Sequence, residues 1–235
     1  MLLYIIRHGD PDYENDSLTP KGKLQADALA KRLALHGIDK VYCSPLGRAK
    51  LTAKPTCELL GLDCVIEPWT SESKAWEKFS IKCGDGSAKW VFHQQTTLLK
   101  NDQTIDLGRQ WHEAEVFAGL NLKKGYDELA ADSDGFLLKL GYRRQGSIYQ
   151  IVKKNTDRVA VFCHQGFGVT WMSHLLQIPP HLFWSSFDVS HSSISLFEFE
   201  NNADGATTPK CLCLSDTSHI YKEGLPLRYN NILDI

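Results

Sequence analysis

Arg158-Val159-Ala160-Val161-Phe162-Cys163-His164-Gln165-Gly166-Phe167-Gly168 is the stretch that decides the fold. Every residue from Val159 to Cys163 is apolar, whichever side of a strand it would face. Such a run reads as a strand buried on both faces, the habit of parallel sheets covered by helices. It ends at a histidine followed by glycines, and an apolar segment then runs to Leu176, where Pro179-Pro180 stops it. The unit is strand, turn, helix, with a polar residue at the strand's carboxyl end.

The same unit recurs on working outward. Leu2 to Ile6 is a short buried strand that runs into Arg7, His8, Gly9 and the polar turn Asp10-Pro11-Asp12. Thr19-Pro20 marks a helix start, threonine as N-cap and proline at the first helical position. Ala26, Leu29, Ala30 and Leu33 then recur on one helical face, and His36-Gly37 supplies the stop. Val41 to Cys43 is a second strand. Ser44-Pro45 repeats the cap-plus-proline signal, placing Arg48 in the first turn of a helix that Pro55 should kink or split. Cys64 to Glu67 is a third strand. Residues 68 to about 130, with Trp69, Trp76, Trp90 and Trp111, lack clean alternation and read as an insertion with helical pieces covering a site. Residues 133 to 154 should be partly helical, broken at Gly141 and Gly146. Residues 194 to 199 and 210 to 214 alternate as strands. The expected fold is α/β: a three-layer α/β/α sandwich with a mostly parallel central sheet, one domain over 1–235, and a lid-like insertion at about 68–130.

Composition narrows the function. Apolar residues are 43% and charged residues 23%, as in an ordinary globular chain. With 26 basic and 28 acidic side chains the net charge is -2, so no global basic field holds a nucleic acid or an anionic membrane. Any anion site must be a local cluster. No apolar run approaches the roughly 20 residues of a membrane span, and no signal-peptide pattern opens the chain. The seven cysteines include no C-x-x-C and read as reduced thiols of a cytoplasmic protein.

Parallel α/β sheets bind ligands beyond the carboxyl ends of their strands. That rule selects Arg7 and His8 after the first strand, Ser44 to Arg48 after the second, Glu72 after the third and His164 after the strongest. Two guanidiniums beside two imidazoles suit a dense anion. A phosphoryl group fits because guanidinium forks pair with its oxygens, although sulfate or carboxylate would also be drawn in. A neutral imidazole can attack phosphorus, and a carboxylic acid is then needed to protonate the leaving oxygen. No metal or cofactor is required.

These residues resemble a known family. Leu3-Tyr4-Ile5-Ile6-Arg7-His8-Gly9 is similar to the R-H-G opening of the histidine phosphatase superfamily, the phosphoglycerate-mutase-like fold. Leu18-Thr19-Pro20-Lys21-Gly22 with Gln25-Ala26 resembles its L-T-x-x-G-x-x-Q-A element. Ser44-Pro45-Leu46-Gly47-Arg48-Ala49 with Thr52-Ala53 resembles S-P-L-x-R-A-x-x-T-A, and Val161 to Gly166 resembles the second-histidine strand. Asp216-Thr217-Ser218-His219-Ile220 resembles a C-terminal element. The resemblance implies His8 as the phosphorylated nucleophile. It implies Arg7, Arg48 and His164 as the phosphate pocket, with Gln165 beside them. It favours Glu72 as the proton donor, although the leucine of the family's L-x-E element is replaced by Thr70, and Glu77 is the rival. The chain departs from the family after R-H-G, with Asp10, Pro11 and Glu14 and with Asn15 one place late, which bears on substrate-side contacts.

The expected activity is hydrolysis of a small phosphomonoester through phosphohistidine. Phosphoryl transfer of the phosphoglycerate mutase type and non-catalytic binding of a phospho-ligand are the alternatives. Singly, Arg7 and Arg48 would be surface ion-pair partners and His164 a structural hydrogen-bonder; the ordered set is what points to chemistry. Cys163 ends a buried strand and should face the core, and His191 and His219 read as structural. The natural substrate and the oligomeric state are left open by the sequence.

Overall fold

The computed structural model describes residues 1–227. Its centre is a six-stranded sheet in the order Lys210–Asp216, Ile194–Glu198, Leu2–Arg7, Arg158–Cys163, Lys40–Cys43, Cys64–Ile66. The four strands from Leu2–Arg7 to Cys64–Ile66 are mutually parallel. Ile194–Glu198 and Lys210–Asp216 add an antiparallel edge.

The deciding stretch is buried on both faces, and for the expected reason. Leu3, Ile5, Val159, Val161 and Cys163 face one core, where Phe136, Phe167, Trp171 and Phe197 pack. Tyr4, Ile6, Ala160 and Phe162 face the other, under Leu29, Leu33, Ala49 and Ala53 of the helices Pro20–His36 and Gly47–Leu60. Fully burying each aliphatic side chain stabilises the fold by about 1.5–3 kcal/mol, so an aspartate at Val161 would break the sheet at its centre. The layers are helix, sheet, helix, as the alternation predicted.

Local signals also hold. Thr19 caps its helix, its Oγ1 accepting from Gly22 N–H at 3.0 Å, and Gly37 ends that helix at φ 75°. Gly141 ends the helix Leu122–Lys139 region at φ 99°, where a Cβ would meet the Lys153 carbonyl at 2.4 Å. Two expectations need correction. Pro55 does not split its helix, which runs unbroken from Gly47 to Leu60 because Ala49, Thr52, Ala53 and Thr56 bury one continuous face. Ser44 does not cap that helix. The helix begins later, at Gly47, and the Asp16 carboxylate takes the Gly47 N–H at 2.5 Å. Residues 133–154 are helical in part, as expected: the helix ends before Gly141, and the hairpin Tyr142–Gln145 with Ile148–Ile151 follows, turning at Gly146.

Residues 68–130 form short helical pieces and one ribbon, Ser80–Lys82 with Ala88–Trp90. No helix among the described residues is long and apolar enough to cross a membrane.

Candidate active site

The register of the parallel strands brings the motif residues together. Arg7 pairs with Cys163, so the next residue, His8, donates its backbone N–H to the Cys163 carbonyl at 3.0 Å. Ser44 N–H donates to the Phe162 carbonyl at 2.9 Å. His8, Ser44 and His164 therefore emerge side by side at one rim. Gly9 N–H donates to Thr52 Oγ1 at 2.9 Å, tying the R-H-G turn to the helix that carries Arg48. A Cβ on Gly9 would stand 2.7 Å from the Gly22 carbonyl oxygen, and one on Gly22 would stand 2.2 Å from that of Asp10. Both motif glycines are thus required by one close backbone crossing.

A cavity of about 400 Å³ opens over this rim, lined by Arg7, His8, Arg48, Glu72 and Gln165, with Tyr13, Ser73, Trp76, Glu77 and Trp90 toward its mouth. His8 is 2% exposed. Its Nδ1 lies 2.7 Å from the Gly9 carbonyl, which can only accept, so Nδ1 carries the hydrogen and Nε2 keeps its lone pair. Burial, with the charges of His164, Arg7 and Arg48, holds the His8 pKa well below the usual histidine value. His8 is therefore a neutral imidazole with a free Nε2 at neutral pH.

His164 lies behind His8, ring centroids 5.2 Å apart. Its Nε2 is 2.7 Å from Ser44 Oγ, which also accepts from Leu46 N–H at 3.3 Å. With the Ser44 hydroxyl hydrogen assigned to the first bond, the His164 ring hydrogen sits on Nδ1, a buried atom without a hydrogen-bond partner among the described residues. Burial, then Arg48 and Arg7, also depress this histidine.

The two guanidiniums are held differently. Arg7 donates to the Val189 carbonyl at 2.6 Å, and its Nη2 lies 2.7 Å from His191 Nε2. Arg48 pairs with Asp16 at 2.6 Å, and its Nε is buried with no hydrogen-bond partner among the described residues. Asp16 thus holds both the helix start and the arginine. Sequence reading missed Asp16. Its signal was faint, an aspartate closing the turn Tyr13-Glu14-Asn15, in a left-handed conformation of φ 45°.

Glu72 opens the helix Glu72–Phe79. Its two carboxylate oxygens accept from Gly166 N–H and Phe167 N–H, both at 3.0 Å, at the start of the helix Gln165–Leu176. Burial raises its pKa above the ordinary carboxylate value, outweighing those two N–H groups and the charges of Arg7 and Arg48. Glu77 is exposed, further along the same helix toward the mouth. Gln165 donates from Nε2 to Asp188 at 2.6 Å. Cys163 is fully buried in the core and its thiol pKa is pushed up by burial, so it offers no thiolate. His191, read as a structural hydrogen-bonder, is the neighbour of Arg7, with its ring 5.6 Å from that of His8.

Comparison with known proteins bears on the family and the fold. Residues 3–81 match the profile of the histidine phosphatase superfamily (branch 1). Over 75 residues the chain is 33% identical to a probable phosphoglycerate mutase of Enterobacter sp. (strain 638), covering 28% of this chain and 35% of that protein. The chain thus aligns with only about a third of the length of the first such relatives. Phosphoserine phosphatase 1 of Hydrogenobacter thermophilus is 25% identical over 211 residues, 84% of this chain and 86% of its own. The fold is shared with phosphoserine phosphatase of Entamoeba histolytica, solved with 3-phosphoglyceric acid, at TM-score 0.61 and 18% identity over 93% of this chain and 98% of that one. It is also shared with mycobacterial glucosyl-3-phosphoglycerate phosphatase, at TM-score 0.58 and 18% identity over 92% and 99% of the two chains.

Proposed function

We propose that this chain, whose residues 3–81 match the histidine phosphatase superfamily profile, is a member of that superfamily and a metal-independent phosphatase that hydrolyses a small phosphomonoester through a phosphohistidine on His8. The observation that carries the reading is the His8 ring. It is neutral, locked by Gly9 with Nε2 free, and flanked by two guanidiniums at the floor of a cavity.

In the first step His8 Nε2 attacks phosphorus, the N–P bond forms and the P–O bond to the leaving group breaks. Arg7, Arg48 and His164 Nδ1–H hold the three equatorial oxygens, where charge gathers in the transition state. Glu72, whose raised pKa favours the acid form, gives its proton to the leaving oxygen. In the second step water attacks phosphorus and passes its proton to the Glu72 carboxylate, the N–P bond breaks, and phosphate leaves. Glu72 is preferred to Glu77 because it stands beside the phosphate pocket, anchored by two backbone N–H groups, whereas Glu77 is exposed at the mouth. Gln165, tied to Asp188, serves the wall more than the phosphate. Residues 68–130 are read as an insertion that supplies the outer wall.

Two measurements test this. Hydrolysis of a panel of phosphomonoesters should persist in excess chelator. Rapid quenching in neutral detergent with labelled substrate should trap an acid-labile, alkali-stable phosphate on His8. Label on a serine, an aspartate or Cys163 would reject the mechanism, and turnover that depends on a bisphosphate primer would turn the reading toward a mutase.

A further inference from the structure

The outer wall of the cavity differs in kind from its floor. Trp76 stands one helical turn after Glu72 on the helix Glu72–Phe79, so it rises over the phosphate pocket on the side from which the proton donor acts. Trp90, at the end of the ribbon strand Ala88–Trp90, meets it edge to face, with centroids 4.8 Å apart and planes at 89°. The Trp90 ring is fixed from two further sides. Phe92 stacks on it at 5.1 Å, and Gly166 lies so close beneath that a Cβ there would stand 2.7 Å from Trp90 Cη2. The two indoles make a rigid right-angled corner, half-buried, at the place where the leaving group of a bound phosphomonoester must lie. Tyr13 faces the same mouth, its ring 5.4 Å from the Arg48 guanidinium carbon.

The charges are just as unevenly placed. Among the described lining residues the guanidiniums are Arg7 and Arg48, both at the phosphate end, and the charged group at the mouth is the Glu77 carboxylate. Among the described lining residues, a second anionic group on the substrate would therefore meet a carboxylate and indole faces, with no cation beyond those that hold the phosphate. A flat ring would find an edge-to-face partner and an apolar wall, a geometry that aromatic pairs favour.

From this corner and this charge distribution, and resting on the phosphatase reading above, we infer that the site selects phosphomonoesters whose leaving group carries an aromatic or heteroaromatic ring and no second anion. It should discriminate against carboxylate-bearing esters of the 3-phosphoglycerate type.

The test compares three esters that all leave as alkyl oxygens, so that leaving-group chemistry does not bias the ranking: benzyl phosphate, glycerol 2-phosphate and 3-phosphoglycerate. The expected order of kcat/KM is benzyl phosphate first, by about tenfold over glycerol 2-phosphate, with 3-phosphoglycerate last. Trp76→Leu should lower the ratio of benzyl to glycerol ester about tenfold, the size of one aromatic contact. Trp90→Phe should keep most of that ratio and Trp90→Leu should lose it. Glu77→Lys should raise the ratio of 3-phosphoglycerate to benzyl phosphate at least tenfold. Hydrolysis of all three esters without this order, or tryptophan variants that lower all three alike, overturns the substrate class alone. Failure to hydrolyse any of the three overturns the phosphatase reading with it.

Discussion

Two clusters of arginine, histidine and carboxylate sit at opposite ends of the helix Gln165–Leu176, about 15 Å apart by the rise of an α-helix. At its start lie Arg7, Arg48, His8, His164 and Glu72. Near its end His174 meets Asp134 and Arg144. The residue types are the same, and the arrangements are opposite. Asp134 sits at the centre of its cluster, its Oδ1 accepting from Tyr149 at 3.0 Å and Arg144 Nε at 3.3 Å and lying 3.0 Å from His174 Nε2. The Arg144 guanidinium also stacks over the Tyr149 ring at 4.0 Å. The carboxylate is the hub, and the partners' charges and hydrogen bonds hold its pKa below the ordinary value against the pull of burial. At the other end the cations outnumber the carboxylate, whose pKa moves up instead. Asp16 restrains Arg48 from one side and leaves its Nε without a hydrogen-bond partner among the described residues. A structural network closes its charges on itself; this candidate site sets two guanidiniums and a neutral nucleophile facing a cavity.

The contrast can be broken at several points. The largest expected effect is His8→Ala, which should remove both turnover and the trapped label while the far-ultraviolet circular dichroism is unchanged. Survival of label would place the nucleophile elsewhere. Next is Glu72→Gln, which should cut hydrolysis of an alkyl phosphate by about 10² to 10⁴-fold and that of nitrophenyl phosphate far less, because nitrophenolate leaves without a proton. Glu77→Gln should not separate the two substrates in this way. If the two variants exchange behaviours, Glu77 is the donor.

Arg48→Lys keeps the charge and loses the fork. Loss of a charged hydrogen bond of about 1.5–3 kcal/mol corresponds to a fall of about 10- to 100-fold in kcat/KM. Asp16→Ala should lower kcat/KM in the same direction by less, since it loosens Arg48 without removing it. Equal activity in either variant would put Arg48 outside the pocket.

The pH profile sharpens the comparison further. His8 and His164 are depressed well below 6.5, so the acid limb should appear only below the usual histidine range. Glu72 is raised above 4.5, and the proton it donates is lost as pH rises through that higher value. Activity on an alkyl phosphate should therefore fall on its basic side as Glu72 loses its proton, and Glu72→Gln should flatten that basic limb. A wild-type profile that keeps rising to alkaline pH would deny Glu72 this role.

The smallest effect on turnover belongs to the other cluster. Asp134→Asn should leave kcat/KM for any phosphomonoester near the wild-type value and lower stability by about 1–3 kcal/mol, a shift in Tm of roughly 2–4 °C per kcal/mol for a chain of this size. The sign with pH follows from the depressed Asp134. Its contribution is whole above the unfolded carboxylate value of about 3.9 and is lost as pH falls through the lower folded value, so variant and wild type should converge in strong acid. A large loss of activity with unchanged Tm would show that the two clusters are coupled.

Much of this was legible in the chain. The runs Leu2–Ile6 and Val159–Cys163 name buried parallel strands because each must satisfy two apolar faces. Thr19-Pro20 and Gly37 mark helix ends through local backbone geometry, which needs no distant partner. Arg7, His8, Arg48 and His164 were selected by their places at strand ends, and the parallel register brings them to one rim. What the chain could not state was any contact between residues far apart in sequence. Asp16 reaches the helix start at Gly47, so the Ser44-Pro45 signal misled, and Ser44 turns to His164 instead. Pro55 keeps its helix because burial along one face outweighs the lost backbone bond. The hairpin Tyr142–Ile151 rests on the pairing of Tyr149 with Asp134 and the stacking of Arg144 on Tyr149. The direction of the Glu72 pKa, and the indole corner of Trp76 and Trp90, also arise only when separate segments meet. Local sequence sets backbone preference and which faces are apolar. The electrostatics of the site and the shape of its mouth are sums over neighbours that only the folded chain supplies.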